Sequence, residues 1–127
     1  MTNIALNPST VPASPFYSQA IAVQNASRLV YVSGQVGMTS DGTVADGIEG
    51  QAAQAVANLN AVLDEAGLTP ADLVKLTIYL VDPADVEPFM GAAAGALPDP
   101  PPATTMLIVS GLGSPALRVE IEAVAAG

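Results

Sequence analysis

"LVKLTIYLV", Leu73 to Val81, alternates with a period of two yet carries bulk on both faces. Leu, Val or Ile recurs at every second place, and Lys75, Thr77, Tyr79 and Val81 fall between. Such a stretch reads as a strand that needs cover on both sides. "TTMLIVS" (Thr104–Ser110) is apolar on both faces in the same way. Working outward, Ile48, Ala52, Ala55, Val56, Leu59, Val62, Leu63 and Ala66 recur at helical spacing, which predicts a helix over Ile48–Ala66. Gly67 stands where a left-handed residue ends such a helix, and "TPAD" (Thr69–Asp72) predicts a capped turn. Asp82-Pro83 opens a second helical segment, expected to settle after Pro88 and to end near Leu97.

Three more strands are expected: "FYSQAIAVQ" (Phe16–Gln24, weak), "RLVYVSGQV" (Arg28–Val36) and "LRVEIEAVA" (Leu117–Ala125). Residues 1–14 read as a Pro/Ser/Asn tail before one domain over 15–127. The order is β-β-α-β-α-β-β, an α+β arrangement. Two helices cover one face of a sheet and leave the other bare. The two-sided strands therefore predict that a second copy supplies the missing cover, in a homo-oligomer.

Composition excludes several classes. With 50% hydrophobic and 12% charged residues in 127, a core is affordable and disorder is not indicated. No apolar run reaches the roughly 18 residues of a membrane span, and the start lacks the pattern of an export signal, so no membrane contact and a cytoplasmic location are expected. The chain has no Cys and no His, which removes disulfides, thiolate zinc sites, thiol nucleophiles and imidazole triads. No metal and no cofactor are expected. Arg28, Lys75 and Arg118 face twelve acidic residues, for a net charge of −9. Nucleic acid is thereby disfavoured as a partner, since it needs several cations on one surface.

Glu120 and Glu122 project from one face of the last strand, about 6.6 Å apart. That is near the carboxylate spacing of inverting glycosidases, and also what any half-solvated strand produces. "GAAAG" (Gly91–Gly95) reads as close packing or as a hollow left by small side chains. "PDPPPA" (Pro98–Ala103) reads as a stiff loop delivering Thr104 and Thr105.

"FYSQAI", "VYVSGQV" and "VEIEAVA", flanking the helix "QAAQAVANLNAVLDEAGL" and the strand "LVKLTIYLVD", resemble the Rid/YjgF family over nearly the whole chain. The resemblance implies a chorismate-mutase-like fold: a mixed six-stranded sheet, two helices on one face, and a homotrimer joined through bare sheet faces. It implies small-molecule clefts between subunits, where family deaminases hydrolyse 2-imino acids to 2-keto acids and ammonia. Tyr17, Ser33 and Gly34 then correspond to residues lining that cleft, and Glu120 to the glutamate that positions water. Where those deaminases read "PAR", this chain reads Pro102-Ala103-Thr104. A helix-two asparagine of the family becomes Met90, and a cysteine found in many members becomes Met106. The arginine clamps a carboxylate through charge-assisted bonds worth ~1.5–3 kcal/mol, against ~0.5–1.5 kcal/mol for a neutral hydroxyl. Thr104, with Thr105 beside it, implies a ligand that is neutral or weakly polar. The expectation is a hydrolase or deaminase of an imine or related electrophile, inefficient on 2-imino acids. The alternatives are a metabolite-binding module without turnover and a protein-protecting acidic trimer.

Overall fold

A computed structural model describes residues 3–127. Its elements are β1 (Asn3–Leu6), β2 (Ala20–Val23), β3 (Leu29–Val36), α1 (Gly47–Glu65), β4 (Leu73–Leu80), α2 (Val86–Ala93), β5 (Ala103–Ile108) and β6 (Val119–Ala126), with short 3-10 turns before β4 and on both sides of α2. Hydrogen bonding divides the strands into a β1-β2 ladder and a four-stranded mixed sheet in the order β3-β6-β4-β5. The expected single six-stranded sheet is corrected to this pair, among the described residues. β4 and β5 run parallel, which requires a crossover, and α2 supplies it. β3 and β4 both run antiparallel to β6 and so parallel to each other, with α1 as their crossover.

Both crossovers lie on one side, where the core forms. Ala52, Ala55, Leu59 and Leu63 of α1 and Phe89 of α2 pack against Leu76, Ile78 and Leu80 of β4 and Val119, Ile121 and Ala123 of β6. Each large side chain buried there contributes about 1.5–3 kcal/mol. α1 stops where its sequence says, with Gly67 at φ 74° just beyond it. Leu73 and Leu76 are both buried although three residues apart, because a register shift between Leu73 and Lys75 offsets the alternation.

Two expectations change at the ends of elements. The segment read as a tail contains β1, since Asn3–Leu6 carries none of the prolines and serines that follow it. Asn3, itself buried, donates to the Ala126 carbonyl at 3.2 Å. The first two residues of the tail lie outside the described residues. α2 does not wait for Pro88: it starts at Val86, which places the proline in the first turn, where its missing N–H costs no helical bond.

Arg118, at the entrance to β6, is held by two residues of the connections. Its Nη2 and Nε donate to the two carboxylate oxygens of Asp85 at 2.6 and 3.0 Å, and Asp85 is 3% exposed. Buried Gln51 of α1 accepts from the Arg118 backbone N–H at 2.8 Å and donates to the Ala116 carbonyl at 2.9 Å. These bonds fix where β6 begins and hence which of its residues face the helices. Asp85→Ala should lower the unfolding free energy by about 1–3 kcal/mol, the cost of stranding a charge-assisted donor pair, read as a shift in the urea midpoint at unchanged m-value.

Candidate functional site

Strand alternation sorts the residues singled out in the sequence onto two surfaces. Thr104 pairs with Leu76 and Met106 with Ile78, so both project to the helical side. Thr105 pairs with Thr77, and its neighbours in the sheet project to the bare side. Glu120 lies opposite Tyr79 and Glu122 opposite Thr77, also on the bare side.

On the helical side lies a cavity of about 420 Å³ between α2, the β4-β5 half of the sheet and the segment ahead of β2. Tyr17, Met90, Thr104 and Met106 line it together. Phe16, 45% exposed, stands among the lining residues, as does fully buried Phe89. Ala93, Ala94 and Ala96 form part of the wall, so the "GAAAGA" run hollows the site rather than closing it. No charged side chain is among the residues lining this space. The Thr104 hydroxyl donates to the Pro102 carbonyl at 3.1 Å, which leaves its lone pairs free to accept.

The other four predicted residues lie across the sheet. β3 bulges between Val32 and Gln35, so Ser33 and Gly34 together span the place opposite Glu122. A Cβ on Gly34 would fall 1.7 Å from a Glu120 carboxylate oxygen, so glycine is what admits that carboxylate. Ser33 is exposed beside it. Thr105 accepts from Lys75 Nζ at 2.6 Å, on the face away from Thr104. Adjacent residues of a strand face opposite ways, and only Thr104 reaches the cavity.

The bare face carries polar groups that the sequence pattern contains but that its reading assigned no role. The Tyr79 hydroxyl donates to Glu122. That bond, then partial burial and the charges of Glu122 and Glu120, push the Tyr79 hydroxyl above the ordinary tyrosine range. All three cations are engaged within the chain: Arg118 by Asp85, Lys75 by Thr105, and Arg28 by the Ala66 carbonyl at the C-terminal end of α1. Lys75 stands four residues from Tyr79 on β4, roughly 13 Å along the strand, too far to clamp a small ligand centred on Glu120. Among the described residues no cluster of His, Cys, Asp or Glu is arranged to hold a metal ion. No helix there is long and apolar enough to cross a membrane.

An α+β domain with two crossover helices on one sheet face, an uncharged cavity beneath them and a glycine-seated glutamate opposite is the class of protein these features define. A family model described as endoribonuclease L-PSP matches residues 8–127. The crystal structure of YyfB from Yersinia pestis, a Rid-family protein of unknown function, superposes with a TM-score of 0.84 at 35% identity, covering 99% of both chains. The 2-iminobutanoate/2-iminopropanoate deaminase of Dermatophagoides farinae is 35% identical over 89% of this chain and 86% of its own length. A RutC family protein of Aquifex aeolicus is 37% identical over 65% of this chain, and the match spans 63% of that relative. The chain belongs to the Rid/YjgF family. Other relatives are mitochondrial or chloroplastic, so family membership alone assigns no compartment.

A pH titration checks the bare-face pair. A raised folded-state pKa means that the Tyr79 contribution is complete below the unfolded tyrosine value of about 10 and is lost as pH rises through the folded one. In a chain carrying Tyr17→Phe and Tyr31→Phe, phenolate absorbance from Tyr79 should emerge only above that range. Glu122→Gln should bring it back down.

Proposed function

We propose that the protein is a Rid-type hydrolase of C=N bonds, acting on a small neutral electrophile in clefts completed by a neighbouring copy. The observation that carries this is the Glu120 carboxylate seated against Gly34, where any larger residue would collide with it. A carboxylate held in one place can orient water, accept its proton and return a proton to nitrogen. For an imine, water adds to the carbon, the C–N bond of the resulting carbinolamine breaks, and ammonia leaves with the carbonyl product. Ser33 and Gly34 flank the glutamate. Tyr17, Thr104, Met90 and Met106 hold the rest of the substrate. These two sets lie on opposite faces of one sheet, so a complete site needs the bare face of one copy against the cavity rim of another.

The family resemblance and the deaminase names of relatives support the reaction class. The cavity without a charged wall supports a substrate other than a 2-imino acid, because a carboxylate would lose its water there with no cation to receive it. The engaged cations and the charge of −9 support the exclusion of nucleic acid, despite the family model's name. A location in the cytoplasm belongs to the same proposal. So does the homotrimer, supported by the exposure on the bare face of Tyr31 at 75% and Leu107 at 46%.

Two measurements test this reading. Light scattering on the purified protein should give three times the 12.7 kDa chain mass, and Tyr31→Lys should shift it toward the single chain; a lone-chain mass for the wild type would sink the shared cleft. In kinetics, wild type should hydrolyse a neutral imine faster than 2-iminopropanoate, and Thr104→Arg should reverse that preference. Glu120→Gln should lower the neutral-imine rate by about 10²–10⁴. Gly34→Ala should lower it in the same direction by displacing the carboxylate. An unaffected rate in Glu120→Gln would remove the water-positioning role.

A further inference from the structure

The cavity under α2 lacks charge on its walls, and it is large. Its volume of about 420 Å³ is well above the roughly 150 Å³ that suffices for benzene in a dry protein cavity. It falls within the range of pockets that bury a drug-sized molecule. A Rid-type site that took only a two- or three-carbon imine would leave most of this space unfilled. Ala93, Ala94 and Ala96 contribute only methyl groups to its wall.

Its polar groups are few and neutral. The Thr104 hydroxyl already donates within its own loop and is left as an acceptor. Tyr17 and Asn60 line the cavity, and neither side chain has a hydrogen-bond partner among the described residues. Phe16, Phe89, Met90 and Met106 supply ring and thioether surface, which suits a flat apolar group. An anion would meet no cation here and would be repelled by the net charge of the chain.

We infer that this cavity binds an uncharged molecule bearing two or three apolar rings and one or two neutral hydrogen-bonding atoms, with Ala93, Ala94 and Ala96 setting the size it admits. The identification of that molecule as the substrate rests on the hydrolase reading above; its binding does not. Glu120 lies on the other face, so occupancy of the cavity is separable from turnover.

A matched pair of probes tests this on the full-length protein: neutral N-phenylnaphthylamine and its sulfonated anion, anilinonaphthalene sulfonate. The neutral probe should bind saturably, one per chain, with a gain in fluorescence, and the sulfonate should bind at least tenfold more weakly. Ala93→Leu with Ala96→Leu should reduce affinity for the neutral probe at least tenfold, with the far-UV circular dichroism and melting temperature preserved. Equal affinity for the two probes in the wild type would overturn the inference whether or not the leucine variant folds. So would full affinity in the folded leucine variant. The absence of saturable binding would overturn it too, as expected if a second copy plugs the recess. Loss of hydrolysis in Glu120→Gln without any probe binding would overturn this inference alone, and probe binding with undiminished hydrolysis in Glu120→Gln would overturn the hydrolase reading alone.

Discussion

A β-sheet has two faces, and this chain brings helices to only one of them. Most of what distinguishes the molecule follows from that shortfall. α1 and α2 are both crossovers between parallel strands, and both fall on the same side. The side they cover becomes a dry core. The side they leave bare carries two tyrosines, a lysine, two glutamates and two threonines in register. With Leu107 half in solvent at the sheet edge, the bare face is amphipathic, a composition suited to a surface that meets another protein surface.

The same alternation divides the candidate site. Residues that stand next to each other in "PATTM" cannot act together within one chain, because β5 sends Thr104 and Met106 to the cavity and Thr105 to Lys75. Glu120 and Ile121 separate in the same manner: the carboxylate goes to the bare face while the isoleucine lines the cavity. Chemistry that uses both Glu120 and Thr104 therefore belongs to an assembly. This is a geometric consequence of strand pairing, and it agrees with the oligomer expected from the two-sided strands without depending on it.

The central elements were legible in the sequence because they are long and strongly periodic. β4 ends one residue before the end of its expected stretch, and α1 lies one residue ahead of its apolar stripe. What the sequence concealed was short or nonlocal. β1 has four residues, with Ile4 and Leu6 substantially exposed, so no buried alternation marks it. The bulge in β4 leaves no local signal and that in β3 only a glycine inside a strand pattern, yet they decide which face Ser33, Gly34 and Leu73 occupy. A family pattern transfers identity but not facing, and it assigns no role to Tyr79 or Lys75. Thr105 stands with Thr104 because both follow the proline run, yet alternation along β5 sends them to opposite faces.

The role of the proline run now follows from what it delivers. Prolines cannot donate to a ladder, so 98–102 cannot extend β5 as a hydrogen-bonded strand and instead forms the rim beside α2. Ser18 is bonded to it twice: its backbone N–H donates to the Pro102 carbonyl at 3.1 Å and its hydroxyl to the Pro101 carbonyl at 2.5 Å. These two bonds fasten Phe16 and Tyr17, which immediately precede Ser18, against the strand that begins with Ala103. The cavity mouth is thus set by a rigid loop on one side and by a segment anchored to that loop on the other. An arginine at position 104 would lie beneath this mouth and supply one fixed charge. The threonine there is bonded back to Pro102 and puts no charge beneath this mouth, while alanines of α2 and of the turn after it form part of the wall.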